Sequence, residues 1–153
     1  MFAVPTGIAI ALLWWRRPWA ALYVVLAIAV SAALVQVIKQ LIGRPRPVDI
    51  LVVADFGSFP SGHSANATVT AAALGIVFWR VWVWAAGAVY TAGMMLSRTY
   101  LGAHWISDTI GGLLLGVGVA VILWAPFAMR LHLEREAPHS PPRIRQAIRR
   151  NDA

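Results

Sequence analysis

Between Ser97 and Asp108 the chain reads Ser-Arg-Thr-Tyr-Leu-Gly-Ala-His-Trp-Ile-Ser-Asp, and three of these side chains can do chemistry together. His104 and Asp108 are four residues apart, a spacing that puts them one turn from each other on one helix face. A carboxylate there can accept a hydrogen bond from one imidazole nitrogen and leave the other as a nucleophile or base. Arg98 can hold an anion through its planar, two-pronged fork. Alone, the His–Asp pair also suits a buried tie between helices. In so apolar a chain, however, ionisable groups at membrane depth are costly and mark function.

Two further clusters carry the same kind of chemistry. Lys39 is followed by Arg44 and then Arg46-Pro47. Three cations just past an apolar segment suit an anionic ligand; by themselves they would serve equally as anchors to lipid headgroups. Pro60-Ser61-Gly62-His63 precedes the next apolar segment. Ser61 can cap a helix start, Gly62 lets the backbone approach a ligand closely, and the free amides of a helix start attract an anion. His63 then stands beside that anion. The histidines and Asp108 are acceptable metal ligands, but Lys39, Arg46 and Arg98 would repel a cation, so neither metal nor cofactor is expected. Phosphate fits the array. Metal-free phosphoryl transfer needs cationic clamps on the equatorial oxygens, a nucleophile, and an acid for the leaving group, and two histidines supply the last two.

The elements that must position these groups are apolar. Hydrophobic residues make up 59% of the 153 and charged residues 12%, about half the share of an ordinary globular chain, which is roughly 25%. Apolar runs cover Phe2 to Trp15, Trp19 to Ile38, Ala65 to Trp79, Val81 to Leu96 and Ile106 to Phe127. This pattern predicts an all-α integral membrane bundle of about five transmembrane helices over residues 1–131. A basic, proline-containing tail follows over 132–153, flexible or loosely bound to headgroups. A soluble helical core is disfavoured because too few polar faces remain to meet water. Without cysteine, thiol and disulfide chemistry are excluded.

If the segments alternate, Arg16, Arg17, Arg80 and the tail arginines mark one side, and Lys39, Arg44, Arg46 and Arg98 the other. The positive-inside rule then makes the tail cytoplasmic and sets His63 and His104 at the outer, periplasmic or extracellular, face of a bacterial cell membrane. The arginines gather at segment ends rather than on one polar face, so bilayer and lipid are the expected partners and nucleic acid is not. Oligomeric state is not legible. Trp14, Trp15, Trp19, Trp79, Trp82, Trp84 and Trp124 fall near segment ends, as an interfacial belt does. Phe2 to Trp15, with Pro5 and Gly7, is short for a span and lacks the features of a signal peptide. The expectation is a first helix curtailed at its beginning, which an in-frame upstream start would bear out.

In their order and internal spacing, the three clusters resemble the signature of the type 2 phosphatidic acid phosphatase superfamily, in its membrane lipid phosphatase branch. The resemblance runs from Lys39 to Asp108. It implies six transmembrane helices, one more than counted here, and metal-independent hydrolysis. It further implies that His104 attacks phosphorus to give a phosphohistidine, that Asp108 orients His104, and that His63 protonates the departing oxygen. Lys39, Arg46, Ser61, Gly62 and Arg98 would hold the phosphate. Ser97 belongs to the signature too, as a phosphate contact or a helix-end hydrogen bond, and Arg44 is a further candidate for the phosphate. The expected substrate is a lipid phosphate or diphosphate, first a polyprenyl one such as undecaprenyl diphosphate or a decaprenyl phosphosugar, then phosphatidic acid or phosphatidylglycerol phosphate. Transfer of the phosphoryl group to a lipid or sugar hydroxyl, and a non-catalytic membrane protein, are the alternatives of another class.

Overall fold

Each apolar run becomes a helix that stops where the chain supplies a stop. The computed structural model describes residues 3–48, 50–52 and 56–136. Its helices are α1 (Ala3–Trp14), α2 (Pro18–Ile42), α3 (Gly62–Phe78), α4 (Val81–Tyr100) and α5 (Ile106–Glu136). Pro18 opens α2, where its missing amide costs nothing. Gly43 closes α2 in the left-handed conformation, φ 57°, and its amide donates to the Lys39 carbonyl. Ser61 caps α3. Five helices thus stand where five apolar runs were expected, and among the described residues there is no strand.

α3 is the central helix, packed against α2, α4 and α5, while α1 lies on α2. Two glycines on α5 set the tightest approach. A Cβ at Gly112 would come within 2.5 Å of the Ser61 carbonyl oxygen, and one at Gly116 within 2.7 Å of the Ala65 carbonyl oxygen. This small-x-x-x-small stripe, which the sequence reading missed, lets α5 lie backbone against backbone on α3. The two helix starts therefore abut, and the Ser61 amide donates to the Asp108 carbonyl at 2.9 Å. The core holds Tyr23, Val24, Ala27, Val69, Ala73 and Ala120. The buried Tyr23 hydroxyl donates to the Ala120 carbonyl at 2.8 Å, tying α2 to α5.

The outward faces are apolar as well. Leu26, Val30, Leu34 and Val37 on α2, and Ile110, Leu114, Val117 and Val121 on α5, are all exposed. Stripes of that kind are foreign to a surface that meets water. α2 and α5 are long and apolar enough to cross a membrane; the 25 residues of α2 reach about 37 Å, beyond a hydrocarbon core of roughly 30 Å.

At the end far from Lys39, Arg130 lies over the Trp19 ring and Arg135 over the Trp79 ring. α5 continues past Phe127 to Glu136, so the expected boundary after residue 131 falls inside a helix. That extra length brings Glu134 to the start of α2, where its carboxylate accepts from the Trp19 amide at 2.7 Å and the Ala20 amide at 3.0 Å. The tail expected to be flexible lies, from residue 137 onward, outside the described residues.

Candidate active site

Lys39 sits in the last turn of α2 and is buried. The connection to α3 folds back over it, with Gly57 (φ 72°) passing so close that a Cβ would stand 3.3 Å from the Lys39 carbonyl oxygen. Within this connection the Ser58 amide donates to the Arg44 carbonyl at 2.9 Å and the Ser58 hydroxyl to the Pro45 carbonyl at 3.0 Å. Arg46 joins it to the α4–α5 connection, donating to the Gly57 carbonyl at 2.9 Å and the Ala103 carbonyl at 2.6 Å. The same guanidinium comes 3.5 Å from Nε2 of His104.

His104 is only 4% exposed, and its Nδ1 lies 2.7 Å from the Ser58 carbonyl oxygen. A carbonyl only accepts, so Nδ1 carries the hydrogen and Nε2 keeps the lone pair. The expected hydrogen bond from His104 to Asp108 is not made: Oδ2 stands 3.7 Å from Nδ1, too far for one. The fully buried carboxylate is engaged elsewhere. Oδ2 accepts from the Trp105 amide at 2.9 Å and Oδ1 from Arg44 at 2.8 Å. The physical reason is position. Asp108 lies in the first turn of α5 and reaches back to a free amide three residues earlier, as a capping acid does. Arg44, expected as a phosphate contact, is spent on Asp108 and on the Ser107 hydroxyl at 2.7 Å, with its guanidinium over the Trp105 ring.

His104 lies in the connection 101–105, outside the helices. Burial pushes its pKa down to about 4, the Arg46 guanidinium pushes the same way, and the Ser58 carbonyl and Asp108 oppose them. At neutral pH the imidazole is uncharged, and its Nε2 lone pair faces the Arg46 guanidinium at 3.5 Å.

His104 lines a cavity of about 810 Å³, whose polar end also has Lys39, Arg46, Gly62, His63 and Arg98 in its wall. Arg98, in the last turn of α4, has a buried Nε with no hydrogen-bond partner. His63 stands in the first turn of α3 and is exposed. Ser61 does not line the cavity. It is fully buried, and its hydroxyl oxygen accepts from the Ser64 amide at 3.4 Å and the Ser64 hydroxyl at 3.1 Å. Ser97 is likewise absent from the lining; its carbonyl accepts from the Leu101 amide at the end of α4. Among the described residues no group of three or more His, Cys, Asp or Glu side chains is placed to hold a metal ion. Three neighbours of the site went unread in the sequence: the Ser58 carbonyl, and Gln36 and Asn66, which line the cavity. A backbone carbonyl leaves no signature. The two amides were visible as polar residues at helical spacing from Lys39 and His63.

The family model of the PAP2 superfamily matches residues 20–131. This chain belongs to that superfamily. A lipid A 1-phosphatase from Rhizobium johnstonii is 30% identical over 142 residues, which cover 86% of this chain and 57% of the relative. An undecaprenyl-diphosphatase from Sulfolobus acidocaldarius is 32% identical over 79 residues, 52% of this chain and 34% of its own. The crystal structure of a transmembrane PAP2-type phosphatidylglycerolphosphate phosphatase from Bacillus subtilis superposes with a TM-score of 0.74 and 27% identity. The match covers 83% of this PAP2 chain and 68% of that one. The chain spans about half the length of the curated relatives it matches.

Proposed function

We propose that this PAP2 chain is a membrane-embedded phosphatase that hydrolyses a lipid phosphate or diphosphate through a phosphohistidine, without a metal. One observation carries the reading: His104 lines one cavity with three cations and a second imidazole. Lys39, Arg46 and Arg98 neutralise the phosphoryl oxygens, and the amides at the start of α3, around Gly62, add further donors. The Nε2 lone pair forms the N–P bond as the P–O bond to the lipid breaks, and His63 delivers a proton to the departing oxygen. Water then attacks phosphorus, gives its proton to His63, and the P–N bond breaks to release phosphate. The Ser58 carbonyl and the Asp108 charge stabilise the positive charge that develops on His104. Arg44 and Ser61 act through Asp108 and the α3 start.

The cations at the far end, Arg16, Arg17, Arg80, Arg130 and Arg135, support a cytoplasmic tail and an outward-facing site in the cell membrane. The relatives act on different lipids by name, and all share a phosphate on a lipid. The test is phosphate release by the purified protein from lipid phosphates in mixed micelles. Vanadate, which mimics pentacoordinate phosphorus, is expected to inhibit, and EDTA to leave the rate unchanged. Undiminished turnover by His104→Ala would sink the mechanism, and loss in EDTA restored by a divalent cation would sink its metal independence.

A further inference from the structure

At the end of the bundle remote from His104, three arginines and three aromatic rings line a recess of about 620 Å³: Trp15, Arg17, Phe78, Trp79, Arg80 and Arg135. They come from the α1–α2 turn, the end of α3 with the turn after it, and the last turn of α5. Twenty-seven residues of α5 separate Asp108 from Arg135, about 40 Å at 1.5 Å per residue. The lining contains no histidine, carboxylate or hydroxyl, so it can bind an anion but has no group to act on one.

The arginines are positioned by the rings. Arg17 lies over the Phe78 ring, 5.8 Å from its centroid, and Arg135 over the Trp79 ring at 5.5 Å. Trp15 meets Phe78 edge-on at 5.9 Å. A guanidinium that rests on a ring still has its N–H donors for an anion. Of those donors, Arg135 Nη2 reaches the Ile76 carbonyl at 3.0 Å, while the Arg17 and Arg80 side chains donate to no other described residue. Among the described residues no carboxylate pairs with any of the three. Glu134 is turned to the Trp19 and Ala20 amides, and Glu136 lies against His132. α4 starts directly after Arg80 without a side-chain cap, so its positive end adds to the field. Three like charges around one recess repel one another, and an anion among them offsets that cost.

We propose that this recess binds the phosphate of an anionic phospholipid from the leaflet opposite the active site, as a ligand and not a substrate. The phosphate takes charge-assisted hydrogen bonds from Arg17, Arg80 and Arg135. The three rings pack against the glycerol and the first methylenes, at the level interfacial tryptophans occupy. A free phosphate would satisfy the arginines and leave the rings without a partner, which favours the lipid. By bridging two turns and the end of α5, the bound lipid stabilises the bundle.

The experiment adds short-chain phosphatidylglycerol, short-chain phosphatidylcholine or inorganic phosphate to the full chain in neutral detergent. Native mass spectrometry reads what is bound, and thermal unfolding reads the stabilisation. Phosphatidylglycerol is expected to bind and raise the melting temperature, and the other two to do neither. Arg17→Gln and Arg80→Gln each weaken binding about tenfold, the loss of a charge-assisted hydrogen bond. Arg80 makes no ring contact among the described residues, so its variant keeps the test sound if Arg17→Gln fails to fold. Arg98→Gln, in the active-site cavity, keeps the affinity. So does the Arg16→Gln/Arg130→Gln pair, at the same end but outside the recess wall. No binding of phosphatidylglycerol, an equal response to inorganic phosphate, or unchanged affinity in Arg80→Gln overturns the proposal. An equal loss in the Arg16/Arg130 pair, which is the mark of diffuse surface charge, or loss in Arg98→Gln, which puts the lipid in the active-site cavity, overturns it as well.

Discussion

Nδ1 of His104 donates to the carbonyl oxygen of Ser58, 2.7 Å away and 46 residues earlier in the chain. The tautomer of the imidazole is therefore set by backbone, not by the carboxylate at Asp108. Where a carboxylate itself fixes the tautomer, its amide variant loses about 10⁴ in kcat. Here Asp108→Asn keeps the tautomer but loses the charge and one of the two hydrogen bonds that the carboxylate accepts from Trp105 and Arg44, so kcat is expected to fall about 10- to 100-fold. Ser58→Ala, which keeps the carbonyl, stays within about threefold of wild type. Steady-state kinetics on a lipid phosphate decides both, and His104→Ala shows no turnover and no acid-labile phosphohistidine.

The buried imidazole titrates low. A folded pKa of about 4 lies below the ordinary value of 6.5, so between these values the unfolded chain takes up a proton that the folded site refuses. Stability is then expected to fall as pH drops from 6.5 towards 4, level off below that, and be flat above 6.5 as far as this group contributes. His104→Gln removes that part of the slope. Ring-nitrogen shifts of ¹⁵N-histidine protein in detergent give the midpoint directly, and Arg46→Gln moves it upward because one of its three depressing causes, burial, Arg46 and Lys39, is gone.

The contact of α5 with α3 is made of backbone. Gly112→Ala puts a methyl 2.5 Å from the Ser61 carbonyl oxygen, and such overpacking costs about 1–3 kcal/mol. Because Ser61 and Asp108 meet there, kcat falls along with the melting temperature. Gly118→Ala, with nothing within 4 Å of the new atom, changes neither. Thermal unfolding and turnover of the pair separate the two outcomes.

Glu134 caps α2 at the end of the bundle remote from the cavity. Glu134→Ala leaves the Trp19 and Ala20 amides without their acceptor and is expected to cost about 1 kcal/mol. Kinetics on a lipid phosphate should be unchanged. A loss of activity at full stability would contradict the assignment of Glu134 to the fold alone.

The helices were legible because membrane residence leaves a strong mark: long apolar runs broken by residues such as Gly43, Pro18 and Ser61. α5 was read too short, since Arg130, His132 and Glu134 look polar enough to end a span although they continue the helix. The chemistry-bearing residues were legible because Lys39, Arg46, His63, Arg98, His104 and Asp108 are conspicuous against an apolar background. Their grouping was less so. Gly112 and Gly116 seemed ordinary in a Leu- and Val-rich segment until their contacts with Ser61 and Ala65 gave them a role.

By itself the sequence determined the apolar helices and the residue types able to clamp and transfer a phosphate, because hydropathy and side-chain chemistry are local properties. Only the tertiary structure decided which of them share a cavity and which stand behind it. The acceptor for His104 is a main-chain carbonyl that any residue could supply, and Asp108 is held by Arg44 from a segment 64 residues away. Such partnerships are set by how helices pack, and a list of residues in order does not contain them.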